Sequence, residues 1–206
     1  RLRSVAEHMG RLTEDMIALA IVQDGGAQER FGRVGIDDVV DTALQRQTTS
    51  AEGKQIEIRP VHKADGAVVW GDFEALATAV ENLVSNAINY SPAGSRITVT
   101  TRIDRTESTA VVSVIDQGIG IDQADVERIF ERFYRADSAR SERTGGTGLG
   151  LSIVRHTALS HGGNVEVASA LGAGSTFSLT LPLYAGQEPA AEEQGANAGA
   201  RSGGSK

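Results

Sequence analysis

An apolar seam with heptad spacing runs through the start of the chain. Its apolar side chains recur three and four positions apart, with charged and polar residues between them: Leu2, Val5, Met9, Leu12, Met16 and Leu19. So narrow a stripe is typical of a helix that packs against partner helices. We therefore predict a helix over residues 1–24 that ends at Asp24-Gly25-Gly26. It should form half of a helical bundle rather than fold back on its own domain.

From Arg30 onward, short stretches of helical and of strand-like spacing alternate. Helical spacing predicts four helices: one that contains residues 39–44 and closes near Gly53, one from the N-cap Asp72 to Ser91-Pro92, one over residues 123–133 and one over 149–160. Alternating or β-branched stretches predict six strands: 55–59, 67–70, 96–102, 110–115, 164–169 and 175–181. This order lacks the regular rhythm of a doubly wound sheet. We predict an α/β (α+β) sandwich, in which helices pack on one face of a mixed, mostly antiparallel sheet.

Two segments have no apolar periodicity. Residues 136–148 are rich in Ser, Arg, Thr and Gly, which predicts a mobile loop. Residues 185–206 are mostly Ala, Gly, Glu, Gln and Ser, which predicts a disordered tail. The globular domain should therefore span residues 30–184.

Composition and charge narrow the class of protein. The chain has 206 residues, 40% of them hydrophobic, which suits one globular domain with appendages. A net charge of −7 argues against a protein that binds duplex DNA, and the lack of cysteine excludes disulfides and thiolate metal sites. No apolar run approaches the ~18 residues that would cross a bilayer. Because the chain begins at Arg1, we expect it to be a fragment or a processed product.

Asparagines and an aspartate form the first candidate chemistry. Asn82, Asn86 and Asn89 are spaced i, i+4, i+7 and so share one helical face, where amide oxygens suit a hard cation such as magnesium. Asp116 and the glycines of Asp116-Gln117-Gly118-Ile119-Gly120 directly follow a predicted strand. The carboxylate can accept a hydrogen bond from an exocyclic amine, and glycines let the backbone approach a flat ring. Taken alone, the three asparagines are better explained by a solvated helix face. The Asp-Gly segment alone is only moderately specific, since an ordinary turn can also contain this pattern.

A glycine-rich turn, Gly145-Gly146-Thr147-Gly148-Leu149-Gly150, opens directly into a predicted helix. Backbone N–H groups at a helix N-terminus suit phosphates. The spacing matches neither a P-loop nor a dinucleotide fingerprint.

The order of these patterns is more specific than any one of them. Together with Phe130-Glu131-Arg132-Phe133-Tyr134-Arg135 and Gly172-Ala173-Gly174-Ser175-Thr176-Phe177, they resemble the boxes of the ATP-binding catalytic domain of bacterial two-component sensor histidine kinases. That domain belongs to the histidine kinase/gyrase/Hsp90/MutL superfamily. The resemblance covers about residues 31–183. The heptad segment resembles the second helix of the family's dimerisation and phosphotransfer hairpin.

The resemblance implies roles for individual residues. Asn86 would hold magnesium and Asp116 would bind the adenine amine. Arg135 would reach the phosphates from a flexible segment that covers the ATP, the ATP lid of this family. The ATP site implied in this way contains Asn82, Asn86, Asn89, Tyr90, Asp116, Gly118, Gly120, Arg135, Gly146, Thr147, Gly148, Leu149 and Gly150. The sequence departs from the family at Asn89, where members often carry Lys, and at Gln117, where Asn is commoner.

The implied activity is transfer of the ATP γ-phosphate, with Mg²⁺, to a histidine on a hairpin outside this chain, and then to an aspartate of a response regulator. Superfamily ATPases carry a water-activating Glu four residues before the magnesium Asn. Asn82 stands there and cannot act as a base, and Glu81 is rotated away around the helix, so we expect slow hydrolysis. His8, His62, His156 and His161 lack the acceptor context, so we expect no autophosphorylation of this chain alone.

The resemblance also implies a cytoplasmic domain of a membrane-anchored, homodimeric parent that binds no nucleic acid. Two alternatives stay open. A nucleotide-binding scaffold without catalysis is supported by Asn89 alone. A superfamily ATPase of the chaperone or repair type is disfavoured by Asn82 and by the hairpin-like helix.

Overall fold

The computed structural model describes residues 30–136 and 147–186. The predicted helix over residues 1–24, most of the predicted loop and tail, His8 and Gly146 lie outside the described residues. The elements follow in the order β1 (Gly32–Gly35), α1 (Ile36–Gly53), β2 (Glu57–Lys63), β3 (Val68–Gly71), α2 (Phe73–Tyr90), β4 (Arg96–Asp104), β5 (Thr109–Ile115), a 3₁₀ turn (Arg128–Phe130), α3 (Gly150–Ser160), β6 (Asn164–Ala170) and β7 (Gly174–Pro182).

The strands form two sheets that are joined at one corner. The main sheet has the order β2-β4-β5-β7-β6, with β2 and β4 parallel and the other neighbours antiparallel. A small antiparallel sheet pairs β1 with β3. Leu183 bridges to Val69, and Tyr184 N donates to Val68 O at 2.7 Å, which ties the end of β7 to the small sheet. The predicted mixed, mostly antiparallel sandwich is confirmed.

Strand alternation places one face of the main sheet against the helices. Cross-strand neighbours Val99, Val114 and Phe177 are buried on this face. Helix α2 packs over them with a stripe of four side chains of 0% exposure, Leu76, Val80, Leu83 and Val84. The opposite face carries half-buried Thr and Ser side chains, including Thr98, Thr100, Ser113 and Ser178. Burial of the apolar side chains under α2 stabilises the fold by about 25 cal/mol per Å² of apolar surface removed from water.

The N-terminus of α2 is closed by the protein's own side chains. The Asp72 carboxylate accepts from Ala75 N at 3.1 Å and pairs with Arg30 Nε at 3.1 Å. Its backbone N donates to His161 Nε2 at 3.0 Å, while His161 Nδ1 donates to Thr157 O at 2.7 Å. Burial lowers the pKa of His161, which suits the neutral ring that this pair of bonds requires. The predicted N-cap at Asp72 is confirmed.

His161 lies at the far end of α3, so it joins two helices. The ring of Phe31 stacks on it, with centroids 4.6 Å apart. A Cβ on Gly71 would stand 2.4 Å from His161 Cδ2, so β3 must end on a glycine for the ring to fit. The start of the described chain, the start of α2 and the end of α3 therefore pack as one unit.

Of the four helices predicted from Arg30 onward, three are confirmed and the one over residues 123–133 is wrong. Residues 123–133 form turns and the short 3₁₀ element, not an α-helix. Within this stretch Ile129 is the buried side chain, and one buried residue cannot stabilise a long helix. Phe133 closes the stretch with a φ of 62°, outside helical space. No helix of residues 30–136 and 147–186 has the length and apolar content that crossing a membrane requires.

Candidate functional site

A cavity of about 550 Å³ opens between the second half of α2, the loop after β5, the start of α3 and the β6–β7 turn. It brings together most of the predicted site: Asn82, Asn86, Asn89, Tyr90, Asp116, Gly120, Arg135, Thr147, Gly148 and Gly150. Gly118 and Leu149 lie behind its wall. Gly146 falls outside the described residues. A second, more open groove of about 640 Å³ runs along β6 and contains none of the predicted residues.

Asp116 forms the buried end of the cavity. It follows the last residue of β5 and is 8% exposed. Its Oδ1 accepts from Gly118 N at 2.7 Å and from Ser175 N at 3.2 Å. Burial raises the pKa of the Asp116 carboxyl, although these two donors oppose the shift. Its Oδ2 has no hydrogen-bond partner among the described residues, so it can accept from a ligand that donates.

The glycines near Asp116 allow close contacts between segments of the backbone. A Cβ on Gly118 would stand 2.8 Å from Tyr90 O at the end of α2. One on Gly120, whose φ is 70°, would stand 1.9 Å from Ala170 O, and one on Gly174 would stand 2.2 Å from Asp116 O. The sequence interpretation assigned Gly118 and Gly120 to the approach of a flat ligand. The close neighbours that the structure gives them are α2 and the β6–β7 turn.

At the other side of the cavity, α3 begins without a side-chain cap. Its N-cap, Leu149, makes no side-chain capping bond, and Thr147 Oγ1 accepts from Leu149 N at 3.2 Å. Gly148 O accepts from Phe133 N at 2.9 Å, and a Cβ on Gly148 would clash with Phe133 at 2.9 Å. The first turn of α3 therefore presents N–H groups and a partial positive charge at the cavity, where Gly150 is part of the wall.

The three asparagines of α2 differ in their partners. Asn82 Nδ2 donates to Thr78 O at 3.0 Å, and Asn89 Nδ2 reaches Ser85 Oγ at 3.5 Å. The Asn86 side chain has no hydrogen-bond partner in the described part of the chain and lines the cavity. Its amide oxygen fits a magnesium ligand. Residues 30–136 and 147–186 contain no cluster of three or more His, Cys, Asp or Glu side chains that could hold a metal.

Several cavity residues were missed by the sequence interpretation. They share no single motif: Ser85, Ile119, Ile121, Asp122, Asp125, Ile129, Tyr134, Ala136, Leu151, Leu171, Ser175 and Phe177. Tyr134 is held at the wall because its hydroxyl donates to Asp125 Oδ1 at 2.6 Å and Arg128 lies 4.2 Å above its ring. Ser175 could have been predicted, since it lies within the motif Gly172-Ala173-Gly174-Ser175-Thr176-Phe177 that the sequence analysis quotes.

None of the described histidines lines the cavity. The ring of His62 lies between Asp37, 3.0 Å from Nδ1, and Asp41, 3.1 Å from Nε2. His161 is buried between α2 and α3. Both of these rings therefore have structural partners away from the site.

Comparisons with known proteins agree with this geometry. The family model described as histidine kinase-, DNA gyrase B-, and HSP90-like ATPase matches residues 71–185, more than half of the chain. Sensor-like histidine kinase SenX3 of Mycobacterium tuberculosis is 42% identical over 177 residues, which cover 86% of this chain and 42% of that protein. Sensor histidine kinase WalK of Bacillus subtilis is 35% identical over 182 residues, covering 88% and 30%. The chain thus spans less than half the length of these curated relatives.

Solved structures show the same fold. The mycobacterial sensor histidine kinase MprB has a TM-score of 0.63 at 32% identity, over 74% of this chain and 97% of that one. Full-length ShkA in complex with AMPPNP has a TM-score of 0.74 at 26% identity, over 88% of this chain and 37% of that one.

Proposed function

Because the chain belongs to the histidine kinase-, DNA gyrase B- and HSP90-like ATPase family and contains the ATP-binding catalytic domain of a sensor histidine kinase, we propose that it binds MgATP in the cavity beside Asp116 and serves transfer of the γ-phosphate to a histidine. One observation carries the proposal. A buried carboxylate with a free oxygen and an uncapped helix N-terminus face the same cavity, where they suit the two ends of a nucleotide.

The adenine end is assigned to Asp116. Its Oδ2 is a free acceptor in a buried position, and an exocyclic amine is the complementary donor. Tyr90 and Ile119, each 40% exposed, stand at the cavity wall, where an aromatic base would cover them. Covering these exposed apolar side chains would add affinity beyond the hydrogen bond.

The phosphate end is assigned to the start of α3 and to Arg135. The N–H groups of the first turn provide donors, and the helix dipole favours negative charge there. Asn86 would hold the magnesium ion that accompanies the phosphates. A bound magnesium ion would offset negative charge on the phosphate oxygens during transfer.

The geometry also supports transfer to a protein side chain rather than to water. Asn82 stands where a base would activate water, but its Nδ2 is engaged with Thr78 O and an amide does not take up a proton at neutral pH. In the proposed reaction, an imidazole nitrogen forms a bond to the γ-phosphorus while the bond to the β–γ bridging oxygen breaks and ADP leaves. The acceptor would be a hairpin histidine of the dimeric, membrane-anchored parent, and the phosphoryl group would pass on to a response regulator.

Calorimetric titration of MgATP into the 206-residue chain tests the nucleotide site. Asp116→Asn keeps the shape of the side chain and removes its charge, so we expect affinity to fall about 10- to 100-fold, because a hydrogen bond to a charged group is worth about 1.5–3 kcal/mol. Asp122→Asn is the matched control, since Asp122 is an exposed carboxylate on the same cavity. Failure of the unaltered chain to bind, or equal affinity in Asp116→Asn, would contradict the assignment.

A further inference from the structure

We propose that Ser169 is a specificity-determining positioning residue, which holds the Ser175 hydroxyl as a hydrogen-bond acceptor and so makes the cavity prefer a 6-amino purine to a 6-oxo purine. The inference rests on the proposed nucleotide site and adds a residue to it. Ser169 lies on β6 and is absent from the cavity wall, whereas Ser175, opposite it on β7, is part of that wall.

Three hydrogen bonds converge on the Ser169 hydroxyl. Ile121 N donates to it at 2.9 Å, and the hydroxyl lies 2.9 Å from Gly174 O. Its third partner is the Ser175 hydroxyl, also at 2.9 Å. A serine hydroxyl has one hydrogen to donate and two lone pairs to accept with. The three partners therefore use its full capacity.

The position of each hydroxyl hydrogen follows from the chemistry of these partners. Gly174 O is a carbonyl and can only accept, so the Ser169 hydrogen is donated to it. Ile121 N–H can only donate, which uses one lone pair of Ser169. The remaining lone pair must accept the hydrogen of Ser175. Once that hydrogen is committed, the Ser175 oxygen has only lone pairs to offer the cavity.

This arrangement places two acceptors side by side. Ser175 N donates to Asp116 Oδ1 at 3.2 Å, which holds the two residues next to each other. With Asp116 Oδ2 free and the Ser175 oxygen restricted to accepting, this part of the wall favours a group that donates hydrogens. The 6-amino group of adenine donates, whereas the 6-oxo group of hypoxanthine accepts and would meet lone pairs.

Ser169 is half-buried and does not line the cavity, so its effect must pass through Ser175. Without the Ser169 oxygen, the Ser175 hydroxyl would rotate freely and could donate to a 6-oxo group. The expected consequence is a loss of discrimination rather than a uniform loss of binding. A purely structural role for Ser169 would weaken both ligands equally.

The test is calorimetric titration of ADP and of inosine diphosphate, which differs at the 6-position of the purine and the neighbouring ring nitrogen, into the full chain. The variants are Ser169→Ala, Ser169→Thr, Ser175→Ala and the double Ala variant. We expect the unaltered chain to prefer ADP, and Ser169→Ala to lower the ratio of the two affinities about five- to tenfold. Ser169→Thr retains the hydroxyl and should restore the ratio. The double variant should match Ser175→Ala, because Ser169 acts only through that hydroxyl.

Two results would overturn this inference while leaving the proposed function intact. In the first, ADP binding depends on Asp116 but the ratio of ADP to inosine diphosphate affinity is unchanged in Ser169→Ala. In the second, the two serines affect that ratio independently. If the unaltered chain binds neither nucleotide, the proposed function fails and this inference fails with it. Thermal unfolding of each variant checks that the chain still folds, so a lost ratio cannot be mistaken for a lost fold.

Discussion

Helices α2 and α3 belong to the same small domain, but the free backbone N–H groups at their N-termini are treated in opposite ways. At α2, the Asp72 carboxylate accepts from the first turn and Arg30 and His161 complete the closure. At α3, the N-cap residue Leu149 makes no side-chain capping bond, and Gly150 of the first turn lines the cavity. A helix N-terminus attracts negative charge wherever it stands. The fold satisfies the N-terminus of α2, and we propose that a ligand satisfies the N-terminus of α3.

The two termini also differ in what their loss would affect. Asp72 is 5% exposed and belongs to a packed junction, so its removal should act on stability. Thr147 and Gly148, which precede α3, are half-buried at the cavity, so changes there should act on nucleotide affinity. Three predictions test this separation, from the largest expected effect to the smallest.

Loss of the Asp72 cap at the N-terminus of α2 should have the largest effect, which is on the free energy of unfolding. Asp72→Ala removes both the cap and the pair with the half-exposed Arg30, and we expect the free energy of unfolding to fall by about 2 kcal/mol. Urea denaturation measures this loss, and ADP affinity should stay within about twofold at a temperature where the variant is folded. Asp72→Asn is the control, because Asn caps as well as Asp but cannot pair with Arg30 as an ion. A large loss of ADP affinity in folded Asp72→Ala would refute the separation.

A negative charge placed at the N-terminus of α3 should lower the affinity for ADP. Thr147→Asp would place a carboxylate where we propose phosphates bind, and we expect ADP affinity to fall about tenfold at low salt. The isosteric control Thr147→Asn can still accept from Leu149 N but carries no charge. The gap between the two variants should shrink as salt is raised, because screening weakens the repulsion. Equal affinities for Thr147→Asp and Thr147→Asn would show that α3 does not receive the phosphates.

Lowering the pH should gradually reduce the stability that neutral His161 contributes at the N-terminus of α2. Burial lowers the pKa of His161 in the folded chain below its ordinary value of about 6.5, so the unfolded chain takes up a proton that the folded chain resists. The stabilising contribution is complete above the ordinary pKa, declines as the pH falls below it and levels off below the folded-state pKa.

For one proton the slope is at most about 1.4 kcal/mol per pH unit. Urea denaturation between pH 8 and about pH 5 measures it. His161→Gln should remove this part of the slope, whereas His156→Gln, in the same helix, should retain it. A slope that survives in His161→Gln would mean that another group causes the acid sensitivity.

The sequence allowed most of the fold to be predicted, because burial follows local periodicity. The stripe of α2 and its Asp72 cap, for example, are visible in the order of residues. The prediction of a helix over residues 123–133 is wrong, because the apolar spacing looks helical while Ile129 is buried and Phe130 is only partly buried against the core. Local pattern alone cannot say which apolar residues the rest of the molecule will bury.

The site shows the same limit in a different form. The positions of Asn86, Asp116 and Gly148 could be predicted from motifs, and they do share a cavity. The hydroxyl pair of Ser169 and Ser175 could not, because it depends on the register of β6 against β7. Nor could the reason for Gly118 and Gly120, whose crowded neighbours come from Tyr90 and Ala170, distant in sequence.

Helix α3 links the two regions compared above. It has 11 residues, about 16 Å of helix, and runs from the cavity wall at Gly150 to the stack of His161 on Phe31. A displacement of the helix at either end must be accommodated at the other, since a single short helix has no internal joint. The reciprocity of coupled equilibria then applies: any effect of the bound nucleotide on how firmly residues 30–31 are held is matched by an equal effect of that attachment on nucleotide affinity. Helix α3 therefore connects the proposed nucleotide site with the stack of His161 on Phe31, and a change that displaces Phe31 should alter nucleotide affinity.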